Sequence, residues 1–409
     1  MKQRYFYPLT LFLALFFFAS LQGIAQSAAA PPRASVFNGI DVLKEKAYAP
    51  LQGKKIALLT NQTGQDKEGN STIDLLYNAP GVKLMALFAP EHGIRGDKDQ
   101  AIIEDGKDSK TGLPIYSLYG KTRKPSPEQL AGLDAVVFDI QDIGCRFYTY
   151  ISSMAHAMEA CAEAGIQFIV LDRINPINGR DVEGPVEIDK STFVGIHPIA
   201  LRHGMTIGEL ARMFNEECQY HAQLTVIELQ GWKRKMWQDE TDIPWVNPSP
   251  NMRSLWEATL YPGIGVLEFT PLATGRGTAI PFELLGAPYI QSEQLARRLS
   301  QYGVKHIDFT PFTFTPTERQ FAGQPCHGLR FNILNRDKLR IMDVGIALAQ
   351  ILHQDYPSDY ALKNLNTLLL HTPTMKAIEQ GSSLKEIHSL WAPELKDFKK
   401  RRASYLLYK

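Results

Sequence analysis

Four side chains able to do chemistry fall within seven residues of LFAPEHGIRGD (87–97): Glu91, His92, Arg95 and Asp97, spaced by Gly93 and Gly96. They follow an apolar run, 82–89, that stops at Pro90. Three other apolar runs end the same way. KKIALLT (54–60) leads into TNQTG, DAVVFDI (134–140) into DIQDIGCRFYTY (139–150), and QFIVLD (167–172) into DRINPINGRDVEGP (172–185). Together these loops supply Glu91, Asp139, Asp142, Arg146, Asp172, Arg173 and Glu183. Carboxylates, arginines, asparagines and aromatics are the groups carbohydrate chemistry uses. One carboxyl protonates a glycosidic oxygen while another stabilises the oxocarbenium-like transition state or activates water. Asn and Asp satisfy sugar hydroxyls, aromatic rings cover the apolar ring face, and an arginine fork suits a substrate carboxylate. A cleft so lined fits a glycosidase and equally a sugar-binding protein.

The elements that must position these loops are legible as an alternation. The four runs read as buried strands. Ser71 caps a short helix through Tyr77, and 150–165 has helical periodicity, with Ile151, Met154, Met158 and Cys161 on one face and Gly165 as the stop. Thr206 and Glu209 form a capping box for a helix ending near Cys218, and LTVIELQ (224–230) reads as a further strand. Near-continuous apolar strands alternating with helices indicate an α/β fold with a Rossmann-like parallel sheet covered on both faces. In such sheets ligands bind outside the carboxyl ends of the strands, so the four loops should share one rim. From about 230 onward the chain is rich in Gly, Pro and Trp. The expected organisation is a signal peptide at 1–25, a Rossmann-like domain at 35–229 and a smaller mixed α/β domain at 230–409.

The N-terminus supports the first of these. Lys2 and Arg4 precede an apolar stretch, 9–21, and Gly23-Ile24-Ala25 offers small residues where a signal peptidase reads, so the mature chain should start near Gln26. The stretch is short for a bilayer span, and the first cysteine is Cys145, so neither a lipid anchor nor any lasting membrane anchor is expected of an exported, periplasmic or extracellular protein. The net charge of +1 over 409 residues argues against a nucleic-acid partner. The basic run 396–402 reads as a solvated helix face. Cysteines 145, 161, 218 and 326 match no zinc spacing and suggest no bridge, with Cys161 and Cys218 read as buried thiols. There is no GxGxxG after the first strand, no GxSxG and no HExxH, and the P-loop-like Gly120-Lys121-Thr122 has Ile115 where a glycine is required.

At LFAPEHGIRGD, TGLPIYSLYGKTRKP (111–125), DAVVFDIQDIGCRFYTYISSM (134–154), VLDRINPING (170–179), HPIALRHGMTIGELA (197–211), PSPNM (248–252), GRGT (275–278), PFE (281–283) and GAP (286–288), the chain resembles the NamZ-type exo-β-N-acetylmuramidases, formerly a domain-of-unknown-function family. The resemblance runs in order from about residue 38 to the C-terminus. It implies an active cleft between the two domains and release of terminal N-acetylmuramic acid from peptidoglycan-derived glycans, with no nucleotide or metal cofactor. It also implies Glu91 as general acid, a role that needs a raised pKa, and His92 as an orienting or binding group. Asp139, Gln141, Asp142, Asp172 and Arg173 match cleft positions. The second catalytic group is left open among Asp142, Glu183 and Glu268, or the substrate's own 2-acetamido group. Arg95, Arg146, Arg173 and Arg276 are candidates for the lactyl carboxylate, and Tyr148, Asn175, His203 and Asn251 complete the expected binding set. The chain departs from the family at Ile174, at Gln100-Ala101, and at Phe269, Pro271 and Ala273 within EFTPLAT. These last three suggest a shifted specificity or, alternatively, binding without catalysis or action on another acetamido sugar.

Overall fold

The five apolar strands read from the sequence form one sheet. In the computed structural model these are β1 (Lys55–Thr60), β2 (Lys83–Ala89), β5 (Ala135–Asp139), β6 (Gln167–Leu171) and β9 (Gln223–Ile227). The short strands β3 (Gly106–Lys107) and β4 (Pro114–Ser117) extend the edge, giving the order β3-β4-β2-β1-β5-β6-β9. All pairings are parallel except β3 with β4. Without β3, this is the doubly wound order of a Rossmann sheet, reversing at β1. Alternate side chains serve opposite cores: Ala57, Leu59, Val136 and Phe138 face one, and Ile56, Leu58, Ala135 and Val137 the other. The structure describes Met1 and residues 33–94, 104–120, 122–186 and 189–409. The signal peptide read at 1–25, Arg95, Asp97 and the Gln100-Ala101 departure lie outside the described residues.

The helix Tyr150–Glu163 follows β5, and the helix Ile207–Glu217 starts at the Thr206–Glu209 capping box read from the sequence. Strands β7 (Glu183–Val186) and β8 (Ala200–Arg202) form a separate antiparallel pair. The second half holds a three-stranded antiparallel sheet, ordered β10 (Leu284–Ala287), β12 (Cys326–Ile333), β11 (Ile307–Phe314). The Gly- and Pro-rich stretch near 261 is partly a helix, Leu255–Ile264, containing Pro262. Ser254 and Glu257 cap it reciprocally, and residues 257–264 are all buried, which outweighs the missing proline donor. It packs on the helix Ile341–Asp355, where a Cβ on Gly263 would lie 2.2 Å from the Ile341 carbonyl oxygen. Only glycine permits that approach.

The basic run lies in the helix Leu384–Ala403 and is solvated only in part. Lys396, Lys399 and Lys400 are exposed, but Arg402 is buried and donates to the carbonyls of Gly179, His203 and Gly204. Beyond the helix, the tail returns to the first half. Tyr408 Oη donates to Asp172 Oδ2 at 2.5 Å and accepts from Leu229 N–H at 3.0 Å, while Leu407 N–H donates to Glu209 Oε1. Burial pushes the Asp172 carboxyl up to about 7, against the pull of the Tyr408 hydroxyl and Gly208 N–H. Tyr408→Phe leaves a buried carboxylate and an amide each short of one partner. It should destabilise the fold by about 1–3 kcal/mol, read as a lowered midpoint in urea unfolding.

Candidate active site

Three loops at the carboxyl ends of the first sheet converge on a cavity of about 790 Å³. The loop after β2 contributes Glu91 and His92, the loop after β4 contributes Tyr119 and Arg123, and the segment after β5 contributes Phe147, Tyr148, Thr149 and Tyr150. Thr192, Phe193 and Val194 add to this side. The second half supplies the facing wall, including Asn251, Met252, Tyr261, Glu268, Phe269, Arg276 and Phe282, and the β11–β12 hairpin adds Glu318, Arg319 and Gln320. The cavity therefore lies between N-terminal and C-terminal parts of the chain, where the sequence reading expects the cleft.

Glu91 stands in a turn closed by the Gly93 N–H to Pro90 carbonyl bond, with His92 at φ +69° and Gly93 at +74°. His92 is a buried non-glycine residue in the left-handed region, a conformation held by its surroundings at some backbone cost. The Glu91 carboxyl receives two hydroxyls, Tyr119 Oη on Oε1 at 2.7 Å and Thr149 Oγ1 on Oε2 at 2.6 Å. Thr149 is the N-cap of the helix Tyr150–Glu163, so the positive end of that helix's dipole lies close to the carboxyl. Removing one of the two hydroxyls tests this support. Tyr119→Phe should lower turnover about ten-fold through a misplaced carboxyl, with an unchanged melting temperature, in a steady-state assay beside thermal unfolding.

Aromatic rings line much of the cavity. Tyr148 meets Tyr150 and Tyr261 edge-on at 5.1 and 5.8 Å, and Tyr261 contacts Phe147 at 5.1 Å and Phe282 at 4.7 Å. Burial, with the charges of Glu91 and Asp142, holds the Tyr148 phenol far above its ordinary range, so it is neutral at physiological pH. On the facing wall Glu268 Oε1 accepts from Arg276 Nη1 at 2.5 Å, and its other oxygen faces Tyr261 Oη at 3.4 Å. Asn251, also buried, offers Nδ2 to Glu318 Oε1 at 3.5 Å. Phe269, 54% exposed, and Ala273 line the cavity, so two of the three departures in EFTPLAT face it.

The cavity lining thus includes Glu91, His92, Tyr148, Asn251, Glu268 and Arg276 from the expected set, and leaves out the other described members. Asp139 and Arg173 form a buried two-point ion pair, Nε to Oδ1 at 2.6 Å and Nη2 to Oδ2 at 2.9 Å, and Asp139 also accepts from Thr72 Oγ1. They tie β5 to the loops after β1 and β6. Asp172 accepts from Thr206 Oγ1 and Gly208 N–H at the start of a helix. Arg146 is fully buried and donates to the carbonyls of Pro185, Ile199, Leu368 and Leu369. Asp142 turns back onto Gly144 N–H and lies 3.4 Å from His203 Nε2. Glu183 pairs with Arg202 at 2.7 Å. Asn175 bonds the Met205 carbonyl and Ile177 N–H, and Gln141 bonds the Asp142 and Ile174 carbonyls. Each has a bonding partner within the fold, and none lines the cavity. Cys161 is buried as expected, but Cys218 is half-buried, with Sγ 3.3 Å from His197 Nδ1. Among the described residues no three His, Cys, Asp or Glu side chains are grouped to hold a metal ion.

The sequence matches two adjoining family models, those of the N-terminal and C-terminal parts of the exo-β-N-acetylmuramidase NamZ, at residues 56–256 and 259–408. The chain belongs to the NamZ family. It is 45% identical over 379 residues to the peptidoglycan β-N-acetylmuramidase NamZ of Bacillus subtilis (strain 168), covering 91% of each chain. It is also similar to crystal structures of two DUF1343-family proteins of Bacteroides fragilis NCTC 9343. One has 37% identity and a TM-score of 0.86, covering 92% of this chain and all of the other. The second has 32% identity and a TM-score of 0.75, covering 92% and 99%. Both the Rossmann-like sheet and the family resemblance read from the sequence therefore hold. Tyr119, Arg123, Thr149, Phe193, Tyr261 and Arg319 are among the lining residues that the expected set does not include. Tyr119 and Arg123 stand in the TGLPIYSLYGKTRKP block, which was the available signal.

Proposed function

We propose that the protein is an exported, exo-acting glycoside hydrolase that releases terminal N-acetylmuramic acid from peptidoglycan-derived glycans. The observation that carries this is Glu91, held by two hydroxyls in an aromatic-lined cavity of a chain whose Bacillus relative is a peptidoglycan β-N-acetylmuramidase. In this reading Glu91 protonates the leaving glycosidic oxygen, while the aromatic wall covers the apolar sugar face. Of the carboxylates considered as its partner, Glu268 lines the cavity, whereas Asp142 and Glu183 are bonded elsewhere. Glu268, or the substrate's acetamido oxygen, is the group left to stabilise the developing positive charge at C1. Hydrolysis of a chromogenic N-acetyl-β-muraminide is the test, and a protein that binds the glycoside without releasing chromophore would overturn the reading. That outcome would favour the second reading, a binding protein, for which the altered cavity residues Phe269 and Ala273 are the support. Export rests on the basic–apolar–small pattern of residues 1–25, and Edman sequencing of the mature protein from the culture or periplasm should begin near Gln26.

A further inference from the structure

A muramic sugar differs from its glucosamine counterpart by a lactyl ether bearing a carboxylate, so selectivity needs a cation facing the cavity. Arg146 and Arg173 are committed to carbonyls and to Asp139. Arg276 gives Nη1 to Glu268, and Arg319 is also engaged. Arg123 is different. It lines the cavity, is exposed, and pairs with no carboxylate among the described residues. Its guanidinium lies 4.0 Å from the centroid of the Phe193 ring. That ring is itself fixed, stacked on His156 at 6.0 Å with planes 3° apart, while Ser152 Oγ donates to the Phe193 carbonyl at 2.7 Å. The flanks of Arg123 are clamped too, with Thr122 Oγ1 on the Ser117 carbonyl and Lys124 paired to Glu159 and Glu163. A guanidinium held over a ring face has its carbon satisfied there and still carries its fork of N–H donors, which a carboxylate can take two-pointed. Tyr119, which holds Glu91, lies 6.3 Å from the same Phe193 ring, so the cation and the proposed acid share one wall.

We propose that Arg123, presented on Phe193, is the residue that reads the lactyl carboxylate and makes the site select muramic over glucosamine-type sugars. The proposal rests on the muramidase reading of this cavity, yet binding can test it without turnover. Wild type, Arg123→Ala and Arg123→Lys are titrated with N-acetylmuramic acid and N-acetylglucosamine by calorimetry. The alanine variant should lose roughly ten-fold in affinity for N-acetylmuramic acid and nothing for N-acetylglucosamine, the low end for a charged pair exposed to water. Lysine, keeping charge without the fork, should fall between. The wild-type preference should shrink as salt is raised, and that of Arg123→Ala should not change. Equal losses for both sugars, an unaltered preference in the variant, or no preference in wild type would overturn the assignment. Wild-type hydrolysis of the muraminide, measured in parallel, judges the activity itself. A salt-sensitive, Arg123-dependent preference without hydrolysis would sink the muramidase reading and keep this one.

Discussion

Glu91→Gln should reduce muraminide turnover by about 10²–10⁴-fold, the usual worth of a positioned proton donor, and leave the melting temperature where it is. Glutamine has the same length and its Oε1 can take the Tyr119 hydroxyl as the carboxyl does, while the Thr149 hydroxyl can rotate to accept from Nε2. Packing, the His92–Gly93 turn and affinity for N-acetylmuramic acid should all survive. What is lost is a proton that can leave. The loss should be smaller for a glycoside whose leaving group needs no protonation, such as a dinitrophenyl muraminide, than for one with a sugar leaving group. A variant that retains wild-type rates on both would remove Glu91 from the chemistry. A variant equally slow on both would move it from proton donor to charge stabiliser.

The place of Glu91 at the cavity was legible because its context is local. An apolar strand stops at a proline, and the glycines that follow leave a glutamate in a loop with no cap or turn role that requires its carboxyl. The neighbouring loop was not legible for an equally local reason. Strand β4 has four residues, three of them only half-buried, so no apolar run announces it or the rim loop carrying Tyr119 and Arg123. Two of the expected binding arginines, Arg146 and Arg173, lie off the cavity for a different reason. Arg146 reads as a cleft cation beside Tyr148, but its partners include carbonyls at 368 and 369, more than two hundred positions away. Nothing nearby in the chain reports them. The same holds for Asp172, whose partner hydroxyl belongs to Tyr408. A carboxylate at a strand's carboxyl end looks alike in sequence whether it faces a ligand or fastens a helix start, and only the partner decides. Parallel strands and helix caps, by contrast, rest on periodicity and spacing within a dozen residues, and those readings held.

That distinction can be put to a measurement at Arg173, where the sequence allows substrate binding and structural pairing equally. Asp139 is fully buried, and its two oxygens are met by Arg173 Nε and Nη2 and by Thr72 Oγ1. Arg173→Ala would leave that carboxylate without its cation and release the Gln65 carbonyl from Nη2, freeing the loop after β1. Breaking one side of a buried pair costs about 3–5 kcal/mol because the remaining charge is uncompensated. Urea unfolding should show a loss of that size. The same change in an Asp139→Asn background should cost markedly less, since the two residues share one interaction. Turnover per folded molecule should stay near wild type, because neither side chain lines the cavity. If instead KM rose ten-fold with no change in the unfolding midpoint, the pair would belong to substrate recognition, and the route from the sheet end to the cavity would have to be redrawn through Arg173.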